Sequence, residues 1–456
     1  MARKWYILVR TILFLMLSLA ASAQERYILR VPPGQISKVA SHYGLTIVSQ
    51  LTGSGNNLYV VTTPSNTSLL ATLSKDPSIQ WVEYDQQITL PQKHGYSSDP
   101  ASGKFLATQD WATFLSPFAW QGYLDQPAAT TIGVAAAHKY ATGAGTVAFL
   151  DTGADYTNPV LMFSLMPGAD FTTPSGGSAQ EVPNLNQSTT SILDDGSMYQ
   201  LNQSTTSILD YSGGGGGCDP NFGCDPSQGG LNQSTTSILD QSTTSILDNG
   251  TRITNAYGHG TMVAGLIHLV APSARLMPVK VFGNDGTAQL STLLNGLYYA
   301  IDHGAKVINM SFSMTAASTE LENALDAAND RGIVCVAAVG NEGQNMLVYP
   351  AAYSEVMGVA STNNQGQRSS FSNWGVIATV AAPGEEVIST YPGNHYAAGW
   401  GTSFSTPLVS GAVALLVQTN WWLNQQSAKS TIAGSATPEQ GQNVGGELNL
   451  VKALGH

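Results

Sequence analysis

The sequence predicts an α/β fold with a doubly wound, mostly parallel sheet, preceded by a small ferredoxin-like α+β unit. Beyond about residue 120, short apolar strands alternate with longer helices, which is typical of a parallel sheet covered on both faces. Residues 24–90 instead follow the order βαββαβ, the split arrangement of a ferredoxin-like unit. The chain has 456 residues, 43% of them hydrophobic, and can bury a core in each unit.

The N-terminus has the pattern of a secretory signal peptide over residues 1–23. Three basic residues accompany a short apolar run at 12–20, and Ala21-Ser22-Ala23 is a small-residue cleavage site. The run is shorter than the ~20 residues that cross a bilayer. We therefore expect an exported protein, extracellular or periplasmic, that is soluble and has no membrane span.

The first unit is predicted from apolar periodicity and from a helix-ending glycine, Gly44. Its predicted elements are a strand at 26–31, a helix at 36–43, strands at 45–51 and 58–63, a helix around 69–73 and a strand at 81–84. Residues 91–119 are rich in Ser, Asp, Gly and Pro and are interpreted as a linker.

The second unit is predicted to span residues 120–456. Its predicted strands are 146–150, 276–282, 307–310, 332–339 and 356–360, and its predicted helices include one at 290–301 and those that begin near His259 and Ser403. Catalytic groups gather at the carboxyl ends of strands in such sheets. Asp151 and Asn341 both follow predicted strands, so they are candidate functional residues.

A repeat-containing insertion at about 171–257 interrupts this pattern. Three copies of LNQSTTSILD occur at 185–194, 201–210 and 231–240, and a fourth copy, with Asp in place of Asn, begins at Leu239 and ends at Asp248. Each copy offers few apolar residues to a core and many that favour turns. We interpret the region as a solvated insertion beside the cleft; a substrate-gating or ion-binding role is the alternative.

Charge and cysteine content restrict the partners and cofactors. The net charge of −12 argues against nucleic acid and anionic membranes as partners. Cys218 and Cys224 could form one local disulfide in an oxidising compartment, whereas Cys335 lies in an apolar strand. Two thiolates without further ligands do not make a metal site, so no metal or cofactor is predicted.

Three separated residues supply what a serine nucleophile needs. Ser403 begins a long apolar helix, whose positive end favours developing negative charge, with Pro407 expected in its first turn. His259, at the start of another helix, is a candidate base, and Asp151 is a candidate for holding the imidazole tautomer. Asn341 is the candidate oxyanion donor, beside the Ser403 amide.

The second unit resembles the subtilisin-like serine proteases. The resemblance rests on the segments DTGAD (151–155), HGTMVAG (259–265), INMSFS (308–313), AAVGNEG (337–343), YPAA (349–352), FSNWG (371–375), AAPG (381–384) and GTSFSTP (401–407). It implies a catalytic triad of Asp151, His259 and Ser403. It also implies that residues 24–90 are a propeptide, a chaperone and intramolecular inhibitor whose tail occupies the cleft.

The resemblance further implies where a polypeptide substrate binds. Ser311, Phe312 and Ser313 would form an edge strand and one wall of the specificity pocket. The opposite wall would consist of Ala337, Ala338, Val339 and Gly340. An edge strand of this kind pairs with an extended peptide backbone.

Three departures from the family pattern accompany the resemblance. Met262 stands where a second histidine is usual, and Ser313 replaces a glycine, which narrows the pocket. The loop between residues 266 and 273 is too short for the family's tight calcium site, although the Asp-rich 218–225 loop could bind calcium weakly.

The sequence thus predicts a secreted, monomeric serine endopeptidase that is made as a self-processed precursor. Two alternatives stay open. A sedolisin-type acid peptidase would use a glutamate base and work near pH 3 to 4, and a catalytically silent protein would only hold peptides in its groove.

Overall fold

The computed structural model describes residues 25–51, 53, 55, 57–63, 69–90, 96–97, 111–113, 118–173, 176–181, 184–187, 200–203, 256–438 and 443–456. The signal-peptide pattern, Cys218 and Cys224, and most of the repeat region lie outside these residues. The chain divides after Gln86 into two compact units.

The first unit is a four-stranded antiparallel sheet with two helices. Its elements are β1 (Arg26–Arg30), α1 (Ile36–Tyr43), β2 (Thr46–Gln50), β3 (Leu58–Thr62), α2 (Leu70–Leu73) and β4 (Trp81–Tyr84). The strand order is β2-β3-β1-β4, with β1 and β3 in the middle. Helix α1 ends at Gly44, whose φ of 64° suits glycine. The order βαββαβ read from the sequence therefore forms a ferredoxin-like sheet.

The second unit opens with short elements and then alternates strands with helices. Its elements are β5 (Gln87–Thr89), β6 (Tyr96–Ser97), β7 (Trp111–Thr113), β8 (Phe118–Trp120), α3 (Gln121–Leu124), α4 (Pro127–Ile132), α5 (Val134–Ala137), β9 (Thr146–Asp151), β10 (Ala169–Asp170), β11 (Asn184–Gln187), β12 (Gln200–Gln203), α6 (His259–Val270), β13 (Arg275–Lys280), β14 (Thr287–Gln289), α7 (Leu290–Asp302), β15 (Val307–Met310), α8 (Thr319–Asp330), β16 (Val334–Ala338), β17 (Val356–Thr362), β18 (Val380–Pro383), β19 (Val387–Tyr391), β20 (His395–Gly399), α9 (Thr402–Thr419), α10 (Gln425–Ser435) and α11 (Leu450–Ala453).

Seven of these strands form a parallel sheet in the order β10-β13-β9-β15-β16-β17-β18. The strands are apolar and almost wholly buried, as expected when helices cover both faces. Chain order reverses between β9 and β15, so their carboxyl ends open a crevice, the usual ligand site of such sheets. The predicted fold class is confirmed.

Helix α9 runs through the core of the second unit. Every residue from Thr402 to Val417 is buried. The sequence predicted Pro407 in the first turn of this helix, and that prediction is wrong. Pro407 lies inside the helix. Because Pro407 has no N–H, the carbonyl of Ser403 loses its backbone donor. The side chain of Ser311 donates to that carbonyl instead, at 2.8 Å.

Smaller ladders complete the second unit. Strand β5 pairs with β14, β6 joins β19 and β20, β7 pairs with β8, and β11 pairs with β12. No helix among the described residues is long and apolar enough to span a membrane.

Candidate active site

Asp151 and His259 meet at the carboxyl end of β9. Asp151 is the last residue of that strand, and His259 is the first residue of α6. Nδ1 of His259 lies 2.7 Å from Oδ1 of Asp151, and both side chains are fully buried. Gly258 makes the turn possible: its φ is 87°, and a Cβ there would lie 2.1 Å from the ring of Tyr391.

The carboxylate fixes how the imidazole can act. With its proton on Nδ1 donated to Asp151, a neutral His259 presents Nε2 as a proton acceptor. Nε2 is buried and has no hydrogen-bond partner among the described residues. The backbone N–H of Thr152 also donates to Asp151 Oδ1, at 2.8 Å, and holds the carboxylate in place.

Ser403 lies in the first turn of α9, close to the imidazole. The ring of Phe404, the next residue, is 5.4 Å from the ring of His259 between centroids. The Ser403 hydroxyl donates to the carbonyl of Ser311 at 3.0 Å rather than to His259. Since Ser311 Oγ donates in turn to the Ser403 carbonyl, two reciprocal hydrogen bonds tie the helix start to the end of β15.

Asn341 is oriented by the residue that begins α9. Its Oδ1 accepts from the backbone N–H and the hydroxyl of Thr402, at 2.9 and 2.8 Å. The amide Nδ2 consequently lies on the side of Gly401, 3.1 Å from where a Cβ of that glycine would be. A side-chain N–H donor is thus placed beside the turn that carries Ser403.

The two predicted walls of the substrate-binding site lie at the ends of neighbouring strands, β15 and β16, with Met310 opposite Ala337. Ser313 Oγ lies 3.3 Å from where a Cβ of Gly340 would be, so these two residues adjoin. Phe312 is fully buried against Phe282, with ring centroids 5.4 Å apart. Ala337, Ala338 and Val339 are likewise fully buried. Residues 311–313 follow β15 outside any described strand, so the edge strand stays a prediction.

Two polar residues near this place were not singled out from the sequence. Asn373 Nδ2 donates to Glu342 Oε2 at 2.7 Å and to the Val339 carbonyl at 2.9 Å. A Cβ on Gly340 would lie 2.7 Å from both side chains, so a carboxylate and an amide flank that glycine. The motifs AAVGNEG and FSNWG contain them, but neither motif indicates that its polar side chains meet.

A third unpredicted residue is Glu181, which precedes most of the repeat region. It is buried and accepts a 2.8 Å hydrogen bond from the N–H of Gly258, next to His259. Burial raises the pKa of Glu181, while hydrogen bonds from Thr152 and Thr261 and the charge of Lys280 oppose the rise. No sequence signal connected Glu181 with His259, because the repeats separate them.

The described residues contain no cluster of three or more His, Cys, Asp or Glu side chains able to hold a metal ion. Cys335 is buried within β16, and burial raises the pKa of its thiol to about 12, so it is inert near neutral pH.

An imidazole bound to a buried carboxylate, beside a serine at a helix start on a doubly wound sheet, is typical of hydrolases that use a serine nucleophile. Comparison with known proteins specifies the class. A sequence profile of the subtilase family (Peptidase_S8) matches residues 143–454. The chain therefore belongs to the subtilase family and is a serine endopeptidase.

Individual relatives match part of this chain. Subtilisin BL and Subtilisin Savinase of Lederbergia lenta are 42% and 41% identical to this chain over 206 residues, 43% of this chain and 76% of each relative. Thermitase of Thermoactinomyces vulgaris is 41% identical over 180 residues, 37% of this chain and 64% of thermitase.

A solved structure shares the fold. Fervidolysin from Fervidobacterium pennivorans, described as a keratinolytic enzyme related to subtilisin, matches with a TM-score of 0.65 and 20% identity. The match covers 96% of this chain and 62% of the fervidolysin chain.

Proposed function

We propose that this protein is a secreted endopeptidase that cleaves polypeptides through an acyl-enzyme and processes its own precursor. Ser403 is the nucleophile, His259 the general base, Asp151 the group that orients the imidazole, and Asn341 the oxyanion donor. The observation that carries the proposal is the 2.7 Å contact between His259 and Asp151, which leaves Nε2 as the acceptor in a site next to Ser403.

The reaction begins with a change of partner by the serine hydroxyl. Rotation about the Cα–Cβ bond of Ser403 exchanges the Ser311 carbonyl for Nε2 of His259. The proton then passes to Nε2 as Oγ bonds to the substrate carbonyl carbon. The resulting oxyanion accepts hydrogen bonds from Asn341 Nδ2 and the Ser403 N–H.

The tetrahedral intermediate collapses when the imidazolium of His259 donates its proton to the leaving amine and the C–N bond breaks. Water then attacks the acyl-enzyme through the same base and releases Ser403. Asp151 stabilises the imidazolium throughout and keeps its own charge.

An extended segment of the chain supports a polypeptide substrate. Strand β5 pairs antiparallel with β14, and the Leu90 N–H donates to the Gly286 carbonyl at 2.8 Å. Gly286 in turn adjoins Ala256, whose carbonyl accepts the N–H of His259. A peptide backbone can thus be bound as an added strand close to His259, with little demand on its sequence.

The strand pairing on either side of residues 91–95 supports self-processing. Beyond Leu90, the next described residues, β6, pair with Ala398 and Gly399 of β20. A Cβ on Gly399 would lie 2.7 Å from the ring of Phe404, so β6 is paired next to the Ser403 turn. The bonds between Leu90 and Tyr96 lie outside the described residues, and we expect the cut there. The released propeptide, residues 24–90, then acts as the enzyme's inhibitor.

Expression of the full chain beside Ser403→Ala tests the proposal. We expect wild type to shorten itself to a new N-terminus at residues 91–96, to be labelled by a phosphonofluoridate, and to appear in the medium as a monomer. Ser403→Ala should stay full length, inactive and unlabelled.

Other outcomes separate the alternatives. Activity of full-length Ser403→Ala would refute the nucleophile. An optimum near pH 3 to 4, where imidazole is protonated, would favour a sedolisin-type mechanism. Wild type that binds peptides yet resists labelling would be the silent binding protein.

A further inference from the structure

Both carboxylate oxygens of Glu181 accept hydrogen bonds beside the turn that carries His259. Its side chain is 2% exposed. Oε1 accepts from the Thr152 hydroxyl and from the Gly258 N–H, at 2.5 and 2.8 Å. Oε2 accepts from the hydroxyl and the N–H of Thr261, at 2.5 and 3.1 Å. One carboxylate therefore joins the loop after Asp151 to the first turn of α6.

Both hydroxyls donate toward Glu181, although the Thr152 hydroxyl also lies 3.3 Å from Asp151 Oδ1, a longer contact than its 2.5 Å to Glu181. Thr152 Oγ1 already accepts the N–H of Gly260, at 3.0 Å, and Thr261 Oγ1 accepts the N–H of Asp155, at 2.9 Å. A hydroxyl has a single proton, so each can satisfy its backbone donor and still donate to the carboxylate. Four donors thus point at Glu181, and only an ionised carboxylate can accept from all of them.

A buried cation partly balances this charge. Lys280, at the end of β13, is also buried, and its Nζ donates to the carbonyl of Thr152 at 2.5 Å. Lys280 and Glu181 attract each other electrostatically. The attraction lowers the cost of keeping the glutamate ionised away from water. The first turn of α6 can approach the loop after Asp151 this closely because residue 260 is a glycine. A Cβ there would lie 2.0 Å from the Gly153 carbonyl oxygen.

We propose that Glu181 is a positioning residue for the hydrolysis: its carboxylate clamps the turn that carries His259 to the loop that follows Asp151. The clamp acts on both sides of the imidazole–carboxylate contact, at Thr152 next to Asp151 and at Gly258 next to His259. This inference rests on the proposed roles of Asp151, His259 and Ser403. Glu181 does not touch the reacting atoms, so its effect reaches the reaction through the geometry of the pair.

Glu181→Gln is the sharpest test, because it keeps the size and removes one acceptor. The amide must turn its NH₂ toward one pair of donors, which pushes Thr261 or Gly258 away. We expect kcat of the mature enzyme to fall roughly 10- to 100-fold, the scale of a misplaced catalytic group, with KM within about twofold. Glu320→Gln is the matched control: Glu320 is a buried carboxylate on α8, and its loss should leave kcat unchanged.

A second pair of variants covers the case in which Glu181→Gln does not fold. Thr261→Ser keeps the hydroxyl that accepts from the Asp155 N–H and donates to Glu181, and this variant should retain kcat. Thr261→Val removes it and should lower kcat without raising KM.

Three results would overturn the clamp: a folded Glu181→Gln enzyme with wild-type kcat, a loss confined to KM, or Thr261→Ser as impaired as Thr261→Val. Inactivity of all these proteins together with an active Ser403→Ala enzyme would instead refute the proposed function.

Discussion

At the scale of single residues, Asn341 offers the most direct measurement of transition-state stabilisation. Its Oδ1 accepts both hydrogen bonds from Thr402, so Nδ2 is the atom of this side chain that can donate to a developing oxyanion. Asn341→Ala should lower kcat by roughly 10²- to 10³-fold, the known cost of losing the asparagine donor in subtilisin itself. KM for a chromogenic peptide should change little, because the ground-state carbonyl gains less from this donor.

Thr402 provides the control for Asn341. Thr402→Ser keeps both donors to Oδ1 and should preserve kcat. If Asn341→Ala raises KM and leaves kcat intact, its amide binds substrate rather than the transition state.

The sequence predicted which candidate residues would lie together better than it predicted their hydrogen bonds. Asp151 ends a strand and His259 begins a helix, and these positions, together with the motifs that contain them, predicted a contact that the structure has. The partner of the Ser403 hydroxyl was not predictable, because it depends on a carbonyl at the end of β15. Glu181 escaped notice because all its partners belong to other segments.

At the scale of secondary-structure elements, the repeat insertion is predicted to be dispensable. Its two ends are joined by the hydrogen bond from the Gly258 N–H to Glu181, and Gln180 forms a bridge with Ala154. The two described repeat strands, β11 and β12, pair with each other in parallel, Leu185 opposite Leu201. The seven-stranded sheet therefore forms without pairing to β11 or β12.

Replacing residues 184–254 by about eight Gly and Ser residues should leave kcat within about twofold. The free energy of unfolding should rise by about 2 kcal/mol, since each of three halvings of the length of the connection lowers the entropic cost of closing it by about 0.6 kcal/mol. Urea unfolding of inactive Ser403→Ala proteins measures this change. A deletion that also removes Glu181 serves as the control and should lose activity; equal activity of both deletions would contradict the prediction.

Element boundaries show where local patterns fail. The apolar run after Ser403 predicted a buried helix, and α9 is one. The predicted position of Pro407 was wrong. The helix begins at Thr402, so the proline lies in the second turn rather than the first. A sequence pattern places proline by preference, whereas here Ser311 supplies the donor that makes an interior proline tolerable.

At the scale of the whole molecule, the sequence predicted a parallel sheet but not its strand order. The order places β9 beside β15, so Asp151 and Ser311 stand at neighbouring strand ends where the winding reverses. That position follows from long-range packing, which periodicity along the chain does not report. Once the order is known, the location of the site follows from the general rule for such sheets.

Acid stability of the fold should depend in large part on a buried histidine of α6, His268. His268 is 2% exposed, with Nδ1 3.1 Å from the Ser164 hydroxyl. Burial, and to a smaller extent the charge of His138, lowers its pKa from 6.5 to about 4. Burial also lowers the pKa of His138 itself, against a hydrogen bond to the Val270 carbonyl that raises it.

The free energy of unfolding depends on pH because the folded and unfolded chains bind the His268 proton with different affinity. Between pH 6.5 and 4 the unfolded chain binds a proton that the folded His268 refuses, so stability falls as the pH falls. At about 1.4 kcal/mol for each pH unit, the loss approaches about 3 kcal/mol at pH 4 and then stops. Urea unfolding of Ser403→Ala protein from pH 7 to 4 should show this slope, and His268→Gln should reduce it to the share that His138 and His395, whose pKa values are also lowered by burial, contribute. His303→Gln, a change at an exposed histidine, is the control and should keep the slope. If the free energy of unfolding falls with pH equally with and without His268→Gln, the folded His268 takes up its proton as readily as the unfolded one.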